Sequence, residues 1–340
     1  MSTDPLDKAV LRLAAGLGLA VLLAYGLALP LPYALCVMAV LVLCKPGPPI
    51  PFMKGALMAL AIAAVVAGGV LMVPLLEHYA WAGVVLTGML LVAVFRSGGA
   101  GAQTMILAMS VTLIPVAGVA EQALAPALGL TLALGIVTGV VVSNISHALF
   151  PDAPARQAPP RPLPAQDTVN WMALRATVVV MPVFVLALGN PSLYLAAIMK
   201  AVALGQQACS TRARSAGREL VGSTLAGACM AGLLFFVLSL RPTLWILMLC
   251  MMGAALWAGA RMFRVKASAA PPSFWRNALV TMLILLGPAI EDSAAGKDVF
   301  TASAMRVALF VGVALYAWAT VWVLERWRAS RPVAPPLHRN

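Results

Sequence analysis

Long apolar runs separated by short polar or basic turns mark the chain from end to end. Runs of this length predict membrane helices, over approximately 9–29, 32–44, 53–74, 80–96, 102–120, 124–149, 171–189, 191–207, 217–240, 242–260, 275–290 and 300–324. The second and eighth fall short of the about 20 residues that a span needs. They are read as tilted, broken or partly re-entrant segments. One stretch interrupts the pattern, Pro151 to Asp167 (PDAPARQAPPRPLPAQD), whose prolines and charges describe an extended tether. It divides the chain into a first unit over 1–150, a linker over 151–167, a second unit over 168–327 and a tail over 328–340. The expected fold is an all-α integral membrane protein with about 12 transmembrane helices arranged as two parallel six-helix repeats.

The repeat is legible in ordered coincidences. Leu11-Arg12 opens the first run and Leu174-Arg175 the seventh; Leu31-Pro32-Tyr33 opens the second and Pro191-Ser192-Leu193-Tyr194 the eighth. A basic turn follows each, Lys45 to Lys54 and Arg212 to Arg218. A glycine-bearing run comes next, with Gly68 and Gly69 against Gly222, Gly227 and Gly232, and the fifth and eleventh runs each carry a proline, Pro115 and Pro288. Six spans per half give both halves one orientation, related by an axis along the membrane normal, with a pathway expected near their interface.

Composition agrees with this pattern and excludes other classes. Of 340 residues, 62% are hydrophobic and only 10% charged, where a soluble domain carries about 45–50% apolar and about 25% charged residues. The net charge of +12 sits in short loops, so it sets topology rather than marking nucleic-acid binding. With the N-terminus inside, only Lys200, Arg241, Lys297 and Arg306 fall off the cytoplasmic side, and both termini are expected to be cytoplasmic. Arg12 and Arg175 are read as topogenic anchors, and Trp81, Trp171, Trp245, Trp275 and Trp327 as an interfacial belt. The five cysteines form no C-x-x-C pair and read as small apolar residues. No Walker A loop, H-E-x-x-H or G-x-S-x-G occurs, so neither an enzyme, a cofactor nor a metal site is expected.

Ionisable groups at membrane depth mark pathways. The first half has almost none; the second has several. Lys200 lies among Ile198, Met199, Ala201 and Val202, with Gln206 and Gln207 further along and Gln207 on the same helix face. Lys200 is read either as a fixed cation for an anionic substrate, with the two amides beside it, or as half of a structural ion pair with Glu291 or Asp292. In Leu286-Gly287-Pro288-Ala289-Ile290-Glu291-Asp292-Ser293, Gly287 and Pro288 are expected to break the eleventh helix and free backbone groups to line a cavity. The adjacent carboxylates Glu291 and Asp292 are candidates to carry a proton, or else belong to a hydrophilic outer loop. Arg306 needs a partner, and Asp292 is assigned to it.

The pattern Arg218-Glu219-Leu220-Val221-Gly222-Ser223-Thr224-Leu225-Ala226-Gly227 resembles the fusaric acid resistance protein and aromatic acid exporter superfamily. His147-Ala148-Leu149-Phe150-Pro151, the stretch KAVALGQQ from Lys200 to Gln207, and GPAIEDS from Gly287 to Ser293 resemble a short branch of it of unknown function. The resemblance implies a bacterial inner-membrane exporter of small aromatic or amphipathic organic anions. It implies proton coupling and work with a periplasmic membrane fusion protein of the HlyD type, and leaves homo-oligomerisation open. Distant plant relatives are anion channels built as dimers of six-span units, which would put the anion path between the halves. Matching Tyr33 to Tyr194 sets Ala39 at the position of Lys200, so that path would be asymmetric. A passive anion channel and a non-transporting membrane scaffold for a periplasmic partner remain as alternatives.

Overall fold

A computed structural model describes residues 5–29, 31–44, 51–98, 102–151, 166–210, 213–296 and 298–330. Most of the linker, the end of the tail, Arg212 and Lys297 lie outside the described residues. The described residues form twelve α-helices and no strand. In chain order these are α1 (Pro5–Gly26), α2 (Pro32–Leu43), α3 (Phe52–His78), α4 (Ala80–Gly98), α5 (Ala102–Ala120), α6 (Leu124–Leu149), α7 (Gln166–Gly189), α8 (Pro191–Ser210), α9 (Ala213–Leu240), α10 (Leu244–Met262), α11 (Pro272–Ala294) and α12 (Val299–Ala329). Each corresponds to one apolar run, with ends shifted by a few residues. Eight are long and apolar enough to cross a membrane, namely α1, α4, α6, α7, α9, α10, α11 and α12.

The helix starts carry local chemistry. Pro32 and Pro272 sit in the first turns of α2 and α11, where a missing N–H costs nothing and the fixed φ suits a helix. The Asp298 carboxylate caps α12 by accepting from the N–H groups of Phe300 and Thr301 at 3.1 and 3.3 Å. Prolines inside α3, α5, α7 and α11 are carried without a break, as neighbouring helices allow at membrane depth. One expectation is corrected here. Gly287 and Pro288 do not break α11, which runs through to Ala294. Gly287 instead permits a close approach: a Cβ there would lie 2.2 Å from the Cβ of Tyr33 on α2.

Lys8 Nζ donates to the Pro151 carbonyl at 3.1 Å, and Trp171 stacks on Trp327 with centroids 6.1 Å apart. The end of α10 meets the start of α1 through Gly259 beside Leu13 and Val10. The starts of α1 and α7 therefore share one face, here the near face, with the ends of α6, α10 and α12. The far face carries the start of α2 and the end of α11.

Four helices form the centre: α2, α5, α8 and α11. α2 is buried on every side except at its end residues, the condition for a helix that is apolar all round. Its 12 residues reach about 18 Å, well short of the about 30 Å hydrocarbon core, so it is a core helix enclosed by protein. In α8, Ala197 to Ala208 is buried without interruption. The other helices pack around these four. Contacts between the halves pair α1 with α10, α4 with α7, α5 with α8 and α2 with α11. Moving six helices along the chain turns the first pair into the second and the third into the fourth. Within the halves, α3–α5 matches α9–α11, α3–α6 matches α9–α12 and α2–α6 matches α8–α12.

Candidate functional site

Lys200 stands halfway along α8 and is 0% exposed. Its Nζ donates to Thr281 Oγ1 on α11 at 2.6 Å. Thr281 in turn donates to the carbonyl of Asn277, one turn back, at 2.6 Å. Asn277 Nδ2 donates to Ser223 Oγ on α9 at 2.6 Å, and Ser223 donates to the Leu220 carbonyl at 3.2 Å. A continuous polar chain thus runs from the middle of the bundle toward the near face through the seam of α8, α9 and α11. Asn277 is 5% exposed, and its Oδ1 has no partner among the described residues. Gln206 and Gln207 are buried nearer the near face, and Gln207 Nε2 donates to the Glu219 carbonyl at 3.4 Å.

Two features make this seam tight. Gly227 brings α9 against α11, since a Cβ there would meet the Ala278 carbonyl and Thr281 Cβ at 2.6 Å. Gly222 packs on Phe274 at 3.1 Å in the same sense. Gly232 differs: nothing lies within 4 Å of its Cβ position. Buried in such a setting, an ammonium is costly unless partnered. Among the described residues no carboxylate pairs with Lys200, so the ion pair with Glu291 or Asp292 considered from the sequence is not formed.

The acidic pair at the far end of α11 is split. Asp292 is largely buried and its Oδ2 lies 2.6 Å from Arg306 Nη2 on α12. Glu291 is exposed. Asp292 and Arg306 are brought together; neither is brought to Lys200, whose partner Thr281 lies about three helical turns inward along α11.

Arg175 is more than a topology signal. It is 4% exposed, pairs with Glu325 of α12 at 2.6 Å, and donates to the Ala208 carbonyl near the end of α8. Trp171 Nε1 also donates to Glu325 at 3.0 Å. Arg12 has a partial counterpart, donating to the Phe150 carbonyl after α6 at 3.4 Å. The helix α12 is thus held by one ion pair at each end, Asp292–Arg306 and Arg175–Glu325.

Two cavities flank the far half of α12. One, of about 890 Å³, lies between α9, α11 and α12 and is lined by Gly232, Phe235, Leu285, Ala289, Ser303 and Val307 among others. The second, of about 500 Å³, lies between α7, α8 and α12, beside Tyr194 and Gly312.

Asn277, Thr281 and Ser223 were not singled out from the sequence. The signal existed: Asn277 and Thr281 are polar and four apart in an apolar run, hence on one face. Glu325 carried no signal that distinguished it from a span-end carboxylate. Gly135 and Gly139 form a G-x-x-x-G step that seats α6 on α2, with Cβ positions 2.9 Å from Met38 and 3.2 Å from Val42.

A family model described as a protein of unknown function (DUF2955) matches residues 9–145. That match covers the first six helices and stops before the linker. No curated protein matches the chain, and no solved structure does.

Proposed function

We propose that the protein is an exporter of small organic anions, aromatic or amphipathic, in a bacterial inner membrane, and that it is proton-coupled. One observation carries the reading: a fully buried lysine at mid-depth in the central helices, whose described partner is a neutral hydroxyl. Lys200 supplies the positive field at the site. Thr281, Asn277, Gln206 and Gln207 supply neutral hydrogen-bonding groups toward the near face. A charge so placed is expensive in hydrocarbon and marks a permeation route. In this reading all twelve helices belong to two parallel six-helix repeats, and the near face, with both termini, is cytoplasmic. The recurrence of helix contacts at a shift of six supports the repeats. The resemblance to the fusaric acid resistance superfamily supports the substrate class and an HlyD-type periplasmic partner.

Glu291 is the better candidate for the coupling proton, because it stands exposed beside an Asp292 that Arg306 already engages. The same engagement favours a second reading, a passive anion channel, in which neither carboxylate titrates during transport.

Counterflow of labelled aromatic carboxylates in proteoliposomes, with and without an imposed pH gradient, tests both. Gradient-dependent flux that disappears in Glu291→Gln supports the coupled exporter. Flux that follows membrane potential and ignores the pH gradient supports the channel. Flux unchanged in Lys200→Ala removes Lys200 from the route.

A further inference from the structure

The larger cavity stands in a definite relation to Lys200. On α9 its lining runs from Ser239, at the far end of that helix, down to Ala228. On α11 it runs from Ala289 to Leu285, and on α12 from Val299 to Ala308. At 1.5 Å per residue the α9 wall is about 16 Å long, the depth of one leaflet of a hydrocarbon core of about 30 Å. The walls are aliphatic and aromatic, with Ser239 and Ser303 as the hydroxyl-bearing side chains. The floor is the informative part. Leu285 is one helical turn from Thr281, which accepts from Lys200. Ala228 follows Gly227, whose Cβ position abuts Thr281. An apolar groove thus descends from the far face and ends one turn of α11 above the threonine that accepts from the buried Lys200.

We infer that this groove and Lys200 are two parts of one binding site for an amphipathic anion with an unbranched apolar tail. The anionic head sits at Lys200 and Thr281, and the tail lies in the groove between α9, α11 and α12. This rests on the anion reading above and narrows it from compact aromatic acids to tailed ones. The two parts complement each other physically. Burial of the tail supplies the favourable free energy, roughly proportional to apolar area. The lysine supplies a counter-charge at the one depth where a membrane offers none. The volume of about 890 Å³ falls within the range of sites that enclose a drug-sized ligand, about 300–1,000 Å³. The first half carries no cation at the position that matches Lys200. There Gly135 and Gly139 seat α6 directly on α2, and Ala39 occupies the matching position.

The test is equilibrium binding of radiolabelled straight-chain alkanesulfonates to the full chain in nanodiscs, corrected for empty nanodiscs. Sulfonates stay ionised, so they do not cross or partition as neutral acids. The site predicts that affinity rises with chain length from methanesulfonate to decanesulfonate, by up to about fourfold per methylene. Gly232→Phe places a ring in the groove, where nothing lies within 4 Å of the Cβ position. It should leave decanesulfonate binding no tighter than methanesulfonate. Gly312→Phe fills the other cavity from an equally open position and should keep the chain-length gain, which also controls for folding. Binding that ignores chain length, or a gain that survives Gly232→Phe, overturns the site; length-independent binding would also be the outcome if a bilayer lipid holds the groove. The anion reading fails separately, in flux: methanesulfonate and benzoate uptake into proteoliposomes that is unaffected by Lys200→Ala defeats it whatever the groove binds.

Discussion

Several helix contacts of the first half recur in the second at a shift of six, but the two halves differ in what they bury. In the first half the central helices α2 and α5 are nearly free of charge. Two buried hydroxyls of α5 are spent on their own helix, with Ser110 donating to the Ile106 carbonyl at 3.0 Å and Thr112 to the Ala108 carbonyl at 2.8 Å. In the second half α8 and α11 carry Lys200, Thr281 and Asn277, with Lys200 joined to Thr281 across helices and Asn277 to Ser223 of α9. Counting back equally from Pro115 and Pro288, Ala108 stands where Thr281 stands and Thr104 where Asn277 stands. Thr104 keeps a buried Oγ1 without a partner among the described residues, as Asn277 does its Oδ1. The outer helices differ too. α6 is drawn onto α2 by glycines, while α12 is flanked by cavities and tied by an ion pair at each end. Among the described residues, the second half is the one that buries charged side chains and joins its central polar groups across helices.

This contrast makes its largest prediction for Lys200→Ala. Anion counterflow should fall to the level of empty liposomes, while size-exclusion profiles stay monodisperse. Transferring the charge should fail as a mirror experiment. Ala39→Lys places an ammonium in a fully buried position with no hydroxyl opposite, and should lower thermal stability by about 3 kcal/mol. Adding Ala108→Thr should recover about 1.5 kcal/mol, the worth of a hydrogen bond to a charged group; no recovery would mean the halves do not share a register.

At the near face, Arg175→Gln strips a partner from Glu325 and from the end of α8. It should cost about 2 kcal/mol, below the value for a fully buried pair because Glu325 keeps some access to solvent. Arg12→Gln should cost less than half as much in the same unfolding assay. Equal losses would show that the two arginines do the same work. Next in size, Gly139→Leu should destabilise by about 2 kcal/mol through overpacking against Val42 and Ala39, whereas Gly312→Leu enters open space and should be close to neutral.

The smallest effect concerns the Asp298 cap. Hydrogen bonds from the Thr301 hydroxyl and the Thr301 N–H hold this exposed carboxyl below the usual aspartate range. A carboxyl lowered in the folded state contributes stability that is complete above its unfolded value and is lost as pH falls through its folded value. Helix α12 should therefore lose this contribution only in strong acid, and Asp298→Asn should flatten that part of the stability profile. At the start of α6, Ala123 offers no side-chain cap, so α6 lacks the carboxylate cap that α12 has.

Much of this is legible in the sequence. An apolar run long enough to cross a bilayer has few ways to satisfy its backbone other than as a helix, so each run became one helix with little error at its ends. The partner of Arg306 was legible because a guanidinium two turns inside an apolar run needs a carboxylate, and Asp292 stands at the end of the preceding run. The role of Gly287 and Pro288 was not. Whether a Gly-Pro step breaks a helix depends on what packs against it, and the Tyr33 ring that fills the space comes from the other half of the chain. Arg175 and Glu325 were illegible as a pair for the same reason: they are far apart in sequence, and each alone looks like a span-end charge.

Composition and periodicity by themselves determined the class of the protein and the position of its helices, and singled out Lys200 as a charge out of place. These follow from local physics: the cost of exposed backbone and of isolated charge in hydrocarbon. Which short helices lie at the centre, which hydroxyl Lys200 meets, and that an apolar groove ends one turn from that hydroxyl were decided by packing. Such contacts join residues from different helices, and their free energy exists only once the helices have been brought together.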